Sequence, residues 1–131
     1  MLEQMRKIAL GDDELRTAAL RGMWGDRVTP EWVAYKVARW RAVSDPQAVA
    51  EYSTMFGKDG IPEPSVRVRV PVLAVTGELD APPMRQDAVL QSLTPMCEKL
   101  TVIPLAQCGH YPMQEMPPLL VTTVERFLQR Q

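Results

Sequence analysis

The chain lacks a strong excess of charge of either sign and lacks long apolar runs. Its 15 lysine and arginine residues nearly balance 16 aspartate and glutamate residues, which gives a formal net charge of -1. This balance gives no electrostatic reason to expect nucleic acid or an anionic membrane as a partner. No stretch approaches the roughly 20 apolar residues that span a bilayer, and residues 1–10 lack the pattern of a signal peptide. We therefore expect a cytoplasmic protein without a membrane partner.

Cysteine and histidine are both scarce. The two cysteines, Cys97 and Cys108, form neither a CxxC motif nor a disulfide framework, although one bridge between them is possible. His110 is the single histidine, so a structural zinc site is not expected. The sequence implies no metal and no cofactor.

The first 60 residues carry helical patterns together with the signals of helix ends. Thr29 followed by Pro30 predicts an N-cap and a first helical residue whose missing N–H costs nothing, and Asp45 followed by Pro46 repeats the signal. Four helices are predicted. They are Leu2–Leu10 before Gly11, one capped by Asp12 or Asp13 and running toward Met23, one after Thr29 with Val33, Val37 and Trp40 on one face, and one after Asp45 with Val49, Tyr52 and Phe56 on one face and a stop at Gly57.

The second half alternates predicted strands and helices after a polar loop over residues 58–64. Residues 66–70 alternate with period two and predict a short edge strand. Residues 72–76 and 100–105 are nearly continuous apolar runs, typical of strands buried on both faces of a parallel sheet. Helices are predicted from about Met84 to Leu93 and from Pro117 or Pro118, the latter with Leu120, Val124, Phe127 and Leu128 on one face. This β-α-β-α order predicts an α/β fold with parallel strands.

A sheet of two or three such strands is too small to stand alone. Apolar parallel strands need cover on both faces and neighbours at both edges. We therefore expect the chain to be part of a longer one, or to be covered by another copy or another protein.

Two loops that follow the apolar strands carry the candidate chemistry. Gly77–Asp80 follows the first strand, and Cys108–Pro112 follows the second. Ligands of open α/β sheets bind outside the carboxyl ends of the strands, so Asp80 and His110 are predicted to meet there. A carboxylate beside a histidine fixes its tautomer and stabilises the imidazolium that forms when the ring takes a proton. Glu78 is the alternative partner, and we expect it to face solvent.

These segments carry a resemblance to a known family. The stretch from Val70 to Asp80 resembles the "vPvLvi.G..D" segment of α/β-hydrolases, whose aspartate is the acid of a catalytic triad. The stretch Gly109-His110-Tyr111-Pro112, followed by Glu115, Met116, Pro117 and an amphipathic helix, is similar to the "GH....E.P" ending of that family, whose histidine is the general base. The order of Asp80 before His110 fits that of the fold.

The resemblance implies a fold and an activity. It implies a partial α/β-hydrolase fold, with residues 1–60 as a helical cap-like region and residues 61–131 as the C-terminal β-α-β-α portion of the core. The implied reaction is hydrolysis of an ester or related bond in a small hydrophobic, ester-like substrate. Asp80 would be the acid and His110 the base of that reaction.

The family also requires groups that this sequence lacks. Its nucleophile lies in a G-x-S-x-G turn and its oxyanion hole in an earlier loop, and neither motif is present. None of the four serines lies in such a turn: Ser44, Ser53, Ser65 and Ser92. Cys108 is interpreted as a small buried or loop residue rather than as a nucleophile. A nucleophile would have to come from residues upstream in a longer parent or from a separate chain.

Three hypotheses about function stay open at this point. The chain supplies the acid and histidine to a complementing N-terminal hydrolase half, or it is a non-catalytic remnant that acts as a homo-oligomeric binding module. In the third hypothesis Asp80 and His110 perform acid–base work alone, with a contribution of about 10²–10⁴-fold. One further set of residues could line an acyl or aromatic pocket, although helix-packing core is the favoured interpretation: Trp24, Trp32, Trp40, Met23 and Met55.

Overall fold

The computed structural model describes residues 2–24, 27–59 and 67–130. They form a mixed α/β structure that is mostly helical and contains a parallel sheet of two strands. The chain divides into two compact units, Met1–Glu63 and Pro64–Gln131. Across the described ranges, every helix is too short or too polar to cross a lipid bilayer.

The first unit contains the four predicted helices, α1 (Leu2–Leu10), α2 (Asp13–Trp24), α3 (Pro30–Val43) and α4 (Pro46–Asp59). The side chains predicted to cap three of them each accept a backbone N–H of the first turn, which stabilises the helix start. These bonds are Leu15 N to Asp12 Oδ1 at 2.9 Å, Trp32 N to Thr29 Oγ1 at 3.3 Å and Ala48 N to Asp45 Oδ1 at 2.9 Å.

The end of α4 and its buried face both differ from the prediction. The helix continues through Gly57 to Asp59, since an interior glycine costs a helix only about 1 kcal/mol. Residues 60–64 of the predicted loop lie outside the described residues. The predicted face is wrong at Tyr52, which is 67% exposed, whereas Ala50 and Ser53 are buried. The Phe56 side chain, predicted on the same face, lies outside the described part of the structure.

The contact between α1 and α4 explains this change of face. Arg6 Nη1 on α1 donates to Thr54 Oγ1 on α4 at 3.1 Å. Ala50, Ser53 and Thr54 are small, and small side chains let two helices approach closely. A pattern of large apolar residues along α4 does not reveal such a face.

Trp24 is the largest fully buried side chain of the first unit. Arg16, also on α2, is buried as well. Its Nη2 donates to Ala9 O at 3.0 Å, its Nη1 donates to Asp13 Oδ1 at 3.1 Å, and its guanidinium lies 5.6 Å from the centroid of the Trp40 ring. Trp32 is 39% exposed and stacks on Tyr35 at the surface. The core interpretation therefore holds for Trp24 and is wrong for Trp32.

The second unit contains the sheet. Its elements are β1 (Val68–Gly77), a 3₁₀ turn (Pro82–Met84), α5 (Gln86–Leu93), β2 (Cys97–Leu105), the single turn α6 (Pro112–Glu115) and α7 (Pro117–Leu128). β1 and β2 are parallel, and Val72 to Gly77 pair in register with Leu100 to Leu105. Helix α5 contacts both strands, and α7 contacts β1. The predicted strand–helix order and parallel pairing are confirmed.

The strands differ from the prediction in length and burial. Instead of one strand over 66–70 and another over 72–76, a single strand runs from Val68 through Pro71 to Gly77, and residue 66 lies outside the described residues. Pro71 is tolerated because the pairing register shifts between Val68 and Pro71. β2 begins at Cys97, earlier than predicted. The middle of β1 is only half-buried, since the described sheet has no third strand to cover it.

The last helix also turns a different face inward. Thr123 is buried, and Leu120 and Phe127 are half-buried, whereas Val124 and Leu128 are exposed. The predicted face is therefore wrong at two of its four positions. A one-turn helix, α6, follows the predicted loop over 106–111 and was not expected from the sequence.

Candidate functional site

The candidate site lies where β1 and β2 end. Gly77 and Leu105 are the last paired residues of the two parallel strands, so the following loops leave from the same edge of the sheet. Two backbone hydrogen bonds join these loops, from Glu78 N to Leu105 O at 3.1 Å and from Leu79 N to Cys108 O at 2.8 Å. The loops predicted to carry the chemistry are thus held together by their backbones.

Gly77 permits this close approach. A Cβ atom at this position would lie 2.0 Å from Gly109 O and 2.6 Å from Cys108 O. Atoms cannot approach so closely, so any side chain at position 77 would push the second loop away from the first. A glycine without a Cβ allows the backbones to touch.

Asp80 and His110 meet across the two loops, as predicted. His110 Nδ1 lies 2.9 Å from Asp80 Oδ2 and 3.1 Å from Oδ1. The Asp80 side chain is 10% exposed and that of His110 is 38% exposed. Because an ionised carboxylate only accepts hydrogen bonds, this contact places the ring proton on Nδ1 and leaves Nε2 as the basic nitrogen.

The Asp80 loop is itself fixed by hydrogen bonds. Ala81 N donates to Asp80 Oδ1 at 2.6 Å, which orients the carboxylate. Arg85 Nε donates to Asp80 O at 2.7 Å, which ties the loop to the start of α5. These bonds fix the carboxylate and its loop in the position in which the carboxylate meets His110.

Tyr111 packs against the histidine. The two rings meet edge to face, with centroids 4.9 Å apart and an interplanar angle of 89°. Burial raises the pKa of the Tyr111 phenol above its ordinary value, and the negative charge of Asp80 raises this pKa further. Tyr111 therefore stays neutral at physiological pH and shields the pair with an uncharged ring.

Glu115 belongs to the same cluster, although the sequence assigned it no role. Its Oε2 accepts from Gly109 N at 2.7 Å and its Oε1 accepts from Tyr111 N at 2.9 Å. These are the backbone amides on either side of His110. The only sequence signal was a carboxylate a few residues after the histidine and just before a proline-started helix.

Cys108 is buried rather than poised for attack. It is completely inaccessible to solvent, and its Sγ lies 3.7 Å from Gly109 O. Both cysteines are buried and neither is in a disulfide, so the possible bridge between Cys108 and Cys97 is not formed. The interpretation of Cys108 as a small buried residue is confirmed. Its neighbour Gln107 has a positive φ of 57°, a backbone conformation that is uncommon for residues other than glycine.

The remaining candidate groups have other positions or other partners. Ser44 ends α3, Ser53 is buried within α4, and the Ser92 hydroxyl donates to Val89 O within α5. Ser65 lies outside the described residues. In the described residues of the second unit, 67–130, Ser92 forms no hydrogen bond with His110. Glu78 is exposed, as predicted, and its Oε2 accepts from Gln107 N at 3.4 Å.

A carboxylate that orients a solvent-accessible imidazole can support general acid–base chemistry. In the described part of the chain, no group of three or more histidine, cysteine, aspartate or glutamate side chains could hold a metal ion. The chain matches no protein-family model, no curated protein and no solved structure. The meaning of the site therefore rests on its own geometry.

Proposed function

We propose that this chain is the C-terminal part of an α/β-hydrolase fold and supplies two members of a catalytic triad. Asp80 is the acid and His110 is the general base. The observation that carries the proposal is the 2.9 Å contact between His110 Nδ1 and Asp80 Oδ2. This contact forms at the carboxyl ends of neighbouring parallel strands, in the order that the fold uses.

The division of labour follows from the proton positions. Nε2 of His110 takes the proton of an attacking hydroxyl as its oxygen bonds to the carbonyl carbon of an ester. The imidazolium is stabilised by Asp80 and then returns the proton to the leaving alkoxide. The attacking serine, or in some members of the fold an aspartate that acts without this first proton transfer, is supplied by an upstream or separate part of the hydrolase.

The first experiment is an ester hydrolysis assay on the purified chain. Short-chain p-nitrophenyl esters are incubated with the wild type, His110→Ala and Asp80→Asn, and with Asp87→Asn as the matched control on the exposed first turn of α5. We expect slow turnover without a burst, because in this chain His110 activates a water molecule directly and no acyl-enzyme accumulates without a nucleophilic side chain. Turnover should be lost in His110→Ala, reduced in Asp80→Asn and unchanged in Asp87→Asn.

Equal turnover by the wild type and His110→Ala would contradict a catalytic role for the pair in this chain. A burst that depends on His110 would also revise the proposal, since it would show that this chain contains a nucleophile of its own.

One observation favours a second candidate function, a homo-oligomeric interaction module. Val70, Val121 and Leu128 in the second unit are each more than half exposed, at 66%, 54% and 62%. In the described residues β1 and β2 pair only with each other. Sedimentation equilibrium tests this candidate: a dimer that is lost in Val70→Lys favours the module, and a monomer at all concentrations excludes it.

A further inference from the structure

The carboxylate of Glu115 accepts hydrogen bonds from the backbone on both sides of His110. One oxygen accepts from Gly109 N at 2.7 Å and the other accepts from Tyr111 N at 2.9 Å. Hydrogen bonds to an ionised acceptor are about twice as strong as neutral ones. The backbone amides of Gly109 and Tyr111, on either side of His110, are therefore fixed by a single side chain.

The turn α6 returns Glu115 to this position. Gln114 N and Glu115 N both donate to Tyr111 O, at 2.8 and 2.9 Å, so the chain reverses immediately after the histidine loop. Pro112 is buried at the first position of the turn and has no N–H that needs a partner. The short turn thus places the carboxylate of its last residue against the loop from which it started.

We infer that Glu115 is a positioning residue that sets the direction of the His110 ring toward Asp80. Rotation of the backbone at Gly109 or Tyr111 would move the His110 Cβ and carry Nδ1 away from the Asp80 carboxylate. Two bonds to one carboxylate resist both rotations at once. Groups that hold a reactive side chain in place matter because catalytic geometry tolerates errors of only about 0.5 Å.

The composition of the chain makes this inference directly measurable. His110 is the only histidine, so ¹⁵N-labelled histidine gives the ring signals of this residue alone. The shifts of Nδ1 and Nε2 in the neutral ring report which nitrogen carries the proton. The measurement is made on the full chain as Glu115→Ala and Glu115→Gln, with Glu125→Gln, on the exposed surface of α7, as the matched control.

In Glu115→Ala we expect the ratio of the Nδ1–H to the Nε2–H tautomer to fall about tenfold, the effect of losing charge-assisted hydrogen bonds. Glu115→Gln should give an intermediate ratio, because its amide has one acceptor oxygen for two N–H groups. Glu125→Gln should match the wild type. Should Glu115→Ala fail to fold by circular dichroism, the Glu115→Gln ratio decides.

A folded Glu115→Ala or Glu115→Gln protein with the wild-type tautomer ratio would overturn the inference. The catalytic meaning of this positioning rests on the proposed function, but the ring measurement does not. If esters are not hydrolysed while the ratio falls, the proposed function fails and the positioning role stands. If esters are hydrolysed while the ratio is unchanged, the reverse holds.

Discussion

The helical unit and the sheet-containing unit bury their side chains in different places. In the helical unit the buried apolar residues come from all four helices: Ala9, Leu20, Trp24, Val33, Val37 and Ala50. In the sheet unit the buried residues concentrate where the strands end and the loops begin: Thr76, Gly77, Leu105, Cys108, Gly109 and Pro112. One unit has a distributed core, and the other is best packed around its candidate site.

The remainder of the sheet unit explains this contrast. Val72 to Val75 are the most apolar part of β1, yet each is only half-buried. Apolar parallel strands are normally covered on both faces. The second unit is thus well packed where Asp80 and His110 meet and only half-buried along the middle of β1, as expected of a strand from a larger sheet.

The largest expected effect tests the core of the helical unit. Trp24→Ala removes the largest fully buried side chain, and we expect the free energy of unfolding to fall by about 3–5 kcal/mol. Urea unfolding followed by tryptophan fluorescence measures this, because all three tryptophans lie in the helical unit. Trp32→Ala is the control and should cost well under half as much, since Trp32 is partly exposed.

A comparable loss in both variants would show that the helical unit has no dominant central side chain. Partly exposed side chains such as Trp32 would then contribute as much to the stability of this unit as buried ones.

The second prediction tests the packed edge of the sheet unit. Gly77→Ala places a Cβ against Gly109 O and Cys108 O, and overpacking of this kind costs about 1–3 kcal/mol. The displaced loop should also separate His110 from Asp80, so the ¹⁵N signals of the ring should lose the Nδ1–H pattern. The ring signals report which nitrogen carries the proton, and their loss on addition of urea reports the free energy of unfolding.

Gly22→Ala is the matched control for this prediction. Among the described residues, no atom outside the chain neighbours and the nearby backbone of α2 lies within 4 Å of a Cβ at that position, so the substitution should stabilise the helix by up to about 1 kcal/mol. If Gly77→Ala were as harmless as Gly22→Ala, the close contact between the two loops would not be required.

Local signals in the sequence were sufficient for the helix starts and for the parallel strands. Thr29 and Asp45 cap helices through bonds to residues three positions later, so neighbours in sequence determine them. The buried face of α4 depended instead on the helix that packs against it. Tyr52 was misplaced for that reason, because periodicity records which residues are apolar and not which partner they meet.

The candidate site also contains some features that the sequence predicts and others that it does not. The meeting of Asp80 and His110 follows from topology, since parallel strands bring their carboxyl-end loops to one edge. The role of Glu115 depends on the single turn α6, which is too short to leave a periodic pattern. The contact between Gly77 and Gly109 is made by backbone atoms, so no side-chain pattern encodes it.

The smallest expected effect concerns the environment of Tyr111. It tests how well the loops at the carboxyl ends of the strands exclude water. Burial is the main cause that raises the Tyr111 pKa, and the charge of Asp80 is the second. The folded state therefore keeps a proton that the unfolded chain loses near pH 10. This contribution to stability is fully present below about pH 10 and is lost as the pH rises through the folded pKa.

Asp80→Asn removes only the second cause, so the Tyr111 pKa should move down toward its ordinary value without reaching it. Tyrosinate absorbance, taken as the difference from Tyr111→Phe with Tyr52→Phe as the exposed-ring control, measures the shift. An unchanged Tyr111 titration in Asp80→Asn would mean that solvent screens the carboxylate, and that the loops around Asp80 and His110 are less closely packed than their burial indicates.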